Sequence, residues 1–256
     1  MRTEGTTSPT RSSGYRTPCT ACPLRNLNCF RDFGQNELAF VNDFKRGELA
    51  VDPGAVIVQE GTASPHLYTV LDGWAFRYKT LPDGRRQILN YALPGDFIGL
   101  QTSVFDLMDH GVEALTSMVL CLFPRDELMT LFERQPSLAY DVTWLSAHQE
   151  RLLDAQLLTV GRRNALERAA FVVWHLFHRA RQLGRADKGR IAFPITQQHL
   201  ADTLGLSLVH TNKTLKRLRM SDTIRWSERW LEVHDEERLM ALAKVEALED
   251  RPRPLL

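Results

Sequence analysis

The chain has 256 residues, 43% of them hydrophobic and 25% charged, with 32 Lys and Arg against 31 Asp and Glu and a formal net charge of +1. This composition excludes disorder of the whole and leaves room for two domains, each with its own core. The charge balance decides nothing about a nucleic-acid partner, because a basic face can be offset by acids elsewhere. No apolar run approaches the ~18 residues of a membrane span, and MRTEGTTSPTRSSGYRTP carries no apolar leader stretch, so no membrane partner and a cytoplasmic protein are expected. In that reducing compartment the four cysteines point to metal or redox chemistry rather than structural disulfides.

In chain order, residues 1–17 are rich in Ser, Thr, Gly and Arg, lack periodicity, and read as a disordered tail. Residues 18–130 hold the cysteine-bearing segment and then short β-type runs closed by turn residues. These runs are Ala55–Val58, Leu67–Leu71, Trp74–Lys79 before Pro82-Asp83-Gly84, Ile88–Leu93 before Pro94-Gly95-Asp96, and Met118–Phe123. Many short strands at this spacing imply a β-sandwich or roll. From Leu128 to about Val160 the spacing turns helical, with a start signal at Pro136-Ser137. Leu138, Val142, Leu145 and Leu152 recur at alternating intervals of four and three, as at a helix-pairing seam, with Asp141, Glu150 and Arg151 in the polar remainder. Gln149 and Gln156 fall on the same seam. The reading is a dimerisation helix over 131–160, the alternative being one amphipathic helix packed on its own domain. A further helix, about Asn164 to Leu183, ends at the Gly184–Gly189 loop and opens the last domain, 161–256.

In that domain Thr196 can cap a helix bearing Leu200, Ala201 and Leu204 on one face, and Gly205 permits a tight turn. Ser207 can cap a second helix, Leu208 to about Arg219, whose Leu215 and Leu218 point inward. Val209, His210, Asn212, Lys213, Lys216 and Arg217 then point outward, a set that includes base readers and phosphate binders. Thr223–Trp226 and Trp230–Val233 flank Ser227–Arg229 as a hairpin wing. These features read as a winged helix-turn-helix that binds double-stranded DNA, against the alternative of an ordinary helical hairpin with a solvated cationic face.

Gly95-Asp-Phe-Ile-Gly99, the long helix, Arg163-Asn-Ala-Leu-Glu-Arg168 and Leu200-Ala-Asp-Thr-Leu-Gly-Leu206 together resemble the CRP/FNR family of bacterial transcription regulators, over nearly the whole chain after residue 18. The resemblance implies an α+β architecture: an N-terminal β-roll of the cyclic-nucleotide-binding type, a long dimerisation helix, and a C-terminal winged helix-turn-helix domain. It further implies a homodimer on a palindromic site, with RNA polymerase as a partner. In the recognition helix Val209, Asn212 and Lys213 stand where the enteric branch carries Glu, Ser and Arg, and Thr211 and Thr214 replace inward apolar residues.

A cyclic nucleotide needs a buried cation for its phosphate. Between Arg86 and Arg125 there is no Lys or Arg, and the Arg-Ser pair expected after Gly99 is missing, so no cyclic nucleotide is expected. Cys19, Cys22 and Cys29 cluster ahead of the roll, and Cys121 sits in a late strand. This arrangement resembles the FNR branch, which implies a [4Fe–4S] cluster on these four thiolates as an oxygen or redox sensor. Six residues, Pro23–Asn28, separate the second and third cysteines where the enteric pattern has five. Structural zinc, thiol redox switching and no ligand role remain alternatives at these cysteines, as do another or no effector. His66, His110, His148, His175 and His178 show no ligand-like spacing. With no motif for a nucleophile or acid–base pair, an enzyme is not expected, an iron–sulfur enzyme being the remote alternative.

Overall fold

The computed structural model describes residues 16–246 and 251–256. The segment expected to be disordered, 1–17, therefore lies outside the described residues except for its last two. Two 3-10 turns, Cys19–Ala21 and Pro23–Asn26, lead into α1 (Gln35–Phe44), a helix that has no counterpart in the sequence reading.

The roll follows: β1 (Gly47–Val51), β2 (Val56–Val58), β3 (His66–Asp72), β4 (Ala75–Thr80), β5 (Arg86–Ala92), β6 (Phe97–Ile98), the short α2 (Thr102–Phe105), β7 (Gly111–Ala114) and β8 (Met118–Pro124). They form two four-stranded antiparallel sheets, ordered β1-β8-β3-β6 and β2-β7-β4-β5. Strand side chains alternate between faces. Accordingly Tyr68, Val70, Met118 and Leu120 enter the core between the sheets, whereas Leu67, Leu71, Cys121 and Phe123 enter a second cluster with Cys19 and Phe44. The alternation thus turns Cys121 out of the roll and toward the cysteine segment.

The helical stretch after the roll is two helices, α3 (Leu128–Arg134) and α4 (Pro136–Arg162). Gln135 between them has φ −138° and ψ 75°, because the Pro136 ring disfavours helical backbone at the preceding residue. The seam expected on α4 is corrected here. Leu138, Val142 and Leu145 are only 0%, 2% and 3% exposed, in a core cluster of their own chain, and Leu152 faces Tyr91 and Phe171 of the same chain. Asp141, expected among the polar outward residues, is buried and paired with Arg31. Gln149 accepts from Arg77 (2.7 Å), and Gln156 donates to the Thr203 carbonyl (2.7 Å). The four/three spacing was real, but it marks the stripe that packs on the protomer's own domains. The exposed apolar residues of α4 are Tyr140, Leu153, Leu157 and Leu158.

The last domain comprises α5 (Ala165–Gln182), β9 (Ala186–Asp187), β10 (Arg190–Ala192), α6 (Gln197–Leu204), α7 (Leu208–Met220), β11 (Ile224–Ser227), β12 (Trp230–Val233) and α8 (Glu236–Ala243). Asn164 caps α5, its Oδ1 accepting from the Leu166 and Glu167 N–H groups (3.0 and 3.2 Å), while Glu167 accepts from the Asn164 N–H (2.9 Å). The wing hairpin β11–β12 extends through β10 and β9 to a four-stranded sheet, two strands more than the sequence reading placed there. Among the described residues no helix is long and apolar enough to cross a membrane.

Candidate nucleic-acid interface and cysteine site

Local chemistry sets the helix-turn-helix. Thr196 Oγ1 accepts from the His199 N–H (3.1 Å) and starts α6; Gly205, at φ 64°, makes the left-handed turn; Ser207 Oγ accepts from the His210 N–H (3.3 Å) and starts α7. Thr196 and Ser207, expected at the DNA interface, thus hold the helix starts from exposed positions. Leu200, Leu204, Leu215 and Leu218 are each no more than 1% exposed, which locks the two helices together. Thr211 and Thr214 are buried as well; Thr214 Oγ1 donates to the His210 carbonyl (2.9 Å), whereas Thr211 Oγ1 finds no partner among the described residues. Val209, His210, Asn212, Lys213, Lys216 and Arg217 are all exposed. The α7 sequence carries Lys213, Lys216, Arg217 and Arg219 with no carboxylate, a cationic face suited to a phosphate backbone. The wing adds exposed Arg225 and Arg229, which were not singled out from sequence although the wing was.

The same chain's roll holds this reading head in place. Gln87 Nε2 donates to the Thr203 carbonyl (3.0 Å), the Tyr91 hydroxyl meets Thr203 Oγ1 (2.7 Å), and Phe76 packs on His199. Deeper in, Asp96 in the turn before β6 accepts from Arg179 of α5 (2.6 and 2.8 Å), from Arg253 (2.7 Å) and from the Leu93 N–H (2.9 Å). Burial alone would raise the Asp96 carboxyl; the Arg179 and Arg253 guanidinium groups reverse this and hold it well below the usual carboxylate range.

Between the roll and α4 lies a cavity of about 490 Å³, lined in part by Phe97, Leu100, His110, Leu145 and Leu153. The stretch from Arg86 to Arg125 supplies it no cation, but β4 does: Arg77 and Lys79 both line it. Arg77 is buried and donates to Gln149 and to the Phe97 carbonyl (2.6 Å), leaving Nε without a partner. Both residues precede the cation-free segment in the chain and reach the cavity only because β4 forms part of its wall.

Three of the four cysteines converge. Cys19, Cys22 and Cys121 line one small cavity of about 20 Å³, with Lys45 and Arg25 beside them. Cys19 and Cys121 are buried; Cys22 and Cys29 are half-buried, and Cys29 lies on the following turn, outside that lining. Burial pushes the Cys121 thiol up to about 12 and raises Cys19 too, against the pull of Lys45. Lys45, itself buried, donates to Glu48 (2.7 Å) and to the Thr17 carbonyl (2.9 Å). Arg31 ties the segment to α1 and α4 through Glu37 (3.0 Å) and Asp141 (2.9 Å). As a donor set, thiols beside two cations suit a soft metal or an iron–sulfur group, which binds thiolate. The room does not: about 20 Å³ holds about one water. Among the described residues no group of His, Cys, Asp or Glu is already arranged to hold a metal ion.

A β-roll joined through a long helix to a winged helix-turn-helix defines a DNA-binding regulator. Two family models match, the cyclic nucleotide-binding domain over residues 48–135 and the Crp-like helix-turn-helix domain over 167–242, together more than half the chain. The transcriptional activatory protein AadR of Rhodopseudomonas palustris is 29% identical over 91% of this chain and 96% of its own length. The nitrogen fixation regulation protein FixK of Bradyrhizobium diazoefficiens is 27% identical over 88% and 93%. The structure of FixK2 from Bradyrhizobium japonicum superposes with a TM-score of 0.70 at 27% identity, over 78% of this chain and 98% of that one. The chain belongs to the CRP/FNR family of DNA-binding transcription regulators.

Proposed function

We propose that the protein is a homodimeric transcription regulator that senses oxygen or redox state through a [4Fe–4S] cluster on Cys19, Cys22, Cys29 and Cys121. The observation that carries this reading is the convergence of Cys19 and Cys22 with Cys121, a residue from a distant strand, on one cavity beside Lys45 and Arg25. When bound, the cluster supplies oxygen-labile redox chemistry; the chain supplies the thiols, and its neighbouring cations offset their charge. The dimer rests on the exposed face of α4: Leu153 lines the roll cavity with Val104 and Phe105, Leu157 follows four residues later on the helix, and all four are exposed. Two such protomers present their α7 helices to half-sites about 34–36 Å apart on a palindrome, and RNA polymerase is the further partner of such a regulator.

The test is preparation without oxygen. The expected product is coloured and contains about four iron and four sulfide per chain, is bleached by air, and loses both on replacing any one of the four cysteines by Ser. Stoichiometric zinc with no iron would refute the cluster and leave the regulator.

A further inference from the structure

The segment Arg251–Leu256 does not stay with the winged helix that precedes it in the chain; it lies against the cysteine segment and the roll. Its backbone joins Phe30 as a parallel bridge: the Arg253 N–H donates to the Cys29 carbonyl and the Arg31 N–H to the Arg253 carbonyl, both at 2.9 Å. The Arg253 side chain lies over the Phe30 ring and donates to Asp96 (2.7 Å) and to the Pro94 carbonyl (2.9 Å). Gly95 makes room for this, because a Cβ there would stand 2.3 Å from the Phe30 ring and 3.1 Å from Arg253 Nη2. Beyond Arg253, Leu255 and Leu256 are 2% and 6% exposed and line the same small cavity as Cys19, Cys22 and Cys121.

We infer that Arg251–Leu256 is a built-in occupant of the cysteine site, shielding its thiols in the metal-free protein and withdrawing when they are loaded. The shielding half stands on packing alone: two leucines close a cavity that three thiols share. The withdrawal half rests on the proposed cluster reading and follows from volume. The space left is about that of one water, so a larger group enters only if the leucines leave. Withdrawal would also take Arg253 from Asp96, the carboxylate it shares with Arg179 of the DNA-binding domain. Occupancy of the thiols is thereby connected to the anchor of the reading head through Arg253 and the carboxylate of Asp96.

Shielding is tested by site-resolved alkylation of the reduced, metal-free full chain with iodoacetamide, comparing wild type with Leu255→Asp, Leu256→Asp and the conservative Leu255→Met. The Asp variants should alkylate Cys19 and Cys121 about tenfold faster or more, and Leu255→Met within about twofold of wild type. Equal rates in all four proteins would overturn the shielding. Should an Asp variant fail to fold, Arg253→Ala, which removes only the anchor, takes its place with the same expectation. Withdrawal is tested by hydrogen exchange of the Arg253 amide before and after anaerobic loading with ferrous iron and sulfide. Protection should be present before loading and fall about tenfold or more after it. Unchanged protection after verified loading overturns withdrawal. If iron and sulfide are not retained, the cluster reading fails and withdrawal with it, while the alkylation rates still decide the shielding.

Discussion

Replacing Asp96 by Asn keeps the side-chain volume and an acceptor for the Leu93 N–H, but removes the charge that two guanidinium groups share. Arg179 and Arg253 expose only 9% and 12% of their side chains, so water cannot replace the lost partner well. Removing one member of a buried pair costs about 3–5 kcal/mol. The lower end applies, about 3 kcal/mol, because Arg179 keeps its bond to the Tyr91 carbonyl and Arg253 its bond to the Pro94 carbonyl. For a chain of this size that corresponds to a fall in Tm of about 6–12 °C. Urea unfolding of Asp96→Asn, Arg179→Met and the double variant measures the coupling. The double variant should be less destabilised than the sum of the singles by about 1–3 kcal/mol, with an unchanged m-value. A cost for Asp96→Asn below about 1 kcal/mol, or strict additivity, would refute the role given to this cluster in holding the two domains together.

Burial and neighbouring cations lower His110 and His175 to about 3 and His148 to about 4, so these rings stay neutral in the folded protein. The unfolded chain takes up their protons near pH ~6.5, so their contribution to stability is complete above that pH and falls as the pH drops toward about 4, by up to ~1.4 kcal/mol per pH unit for each ring. A flat urea midpoint between about pH 7.5 and about pH 5 would contradict this. Leu157→Glu, on the exposed face of α4, should yield folded monomers with weak DNA binding, whereas Leu145→Ala should cost about 2–5 kcal/mol of stability. Sedimentation with thermal unfolding separates the two, and a dimer of unchanged mass for Leu157→Glu counts against the face assigned to the partner. Lys213→Ala should relax preference at one symmetric base pair, and Lys216→Ala should weaken binding to all sequences alike and lower the salt slope by about 0.9. Binding-site selection at two salt concentrations decides it; equal loss for every sequence in both variants would remove Lys213 as a base reader. Because Val209 offers only an apolar contact, the selected site should carry a methyl-bearing base pair where a carboxylate reader would select an amino group.

The helix-turn-helix was legible because everything that makes it is local. Thr196, Gly205 and Ser207 act on backbone groups within three residues, and the leucine spacing of α6 and α7 permits one inward face, so the outward set follows. The strand runs of the roll were legible for the same reason, since alternation and turn residues are properties of neighbours in the chain. The helix over Gln35–Phe44 left weaker marks: Gly34 has no side chain to accept from the first turn, so its start is marked only by Glu37, which accepts from the Gly34 N–H (2.8 Å), and a mixed apolar pattern beside the cysteines masked the period. What packs against a face is not a local property. The apolar stripe of α4 read as a pairing seam, yet Leu138, Val142 and Leu145 found their partners inside the chain, and the apolar surface that α4 leaves exposed includes Leu153 and Leu157. The cations of the roll cavity came from β4, outside the segment searched, and Arg31 met Asp141 across a long loop closure. Leu255 and Leu256, more than a hundred residues from Cys121, reached the thiols only because the chain returns over its own roll. Periodicity and caps state which face a residue takes, but only the folded chain decides what that face meets, because burial is a contest among all surfaces at once.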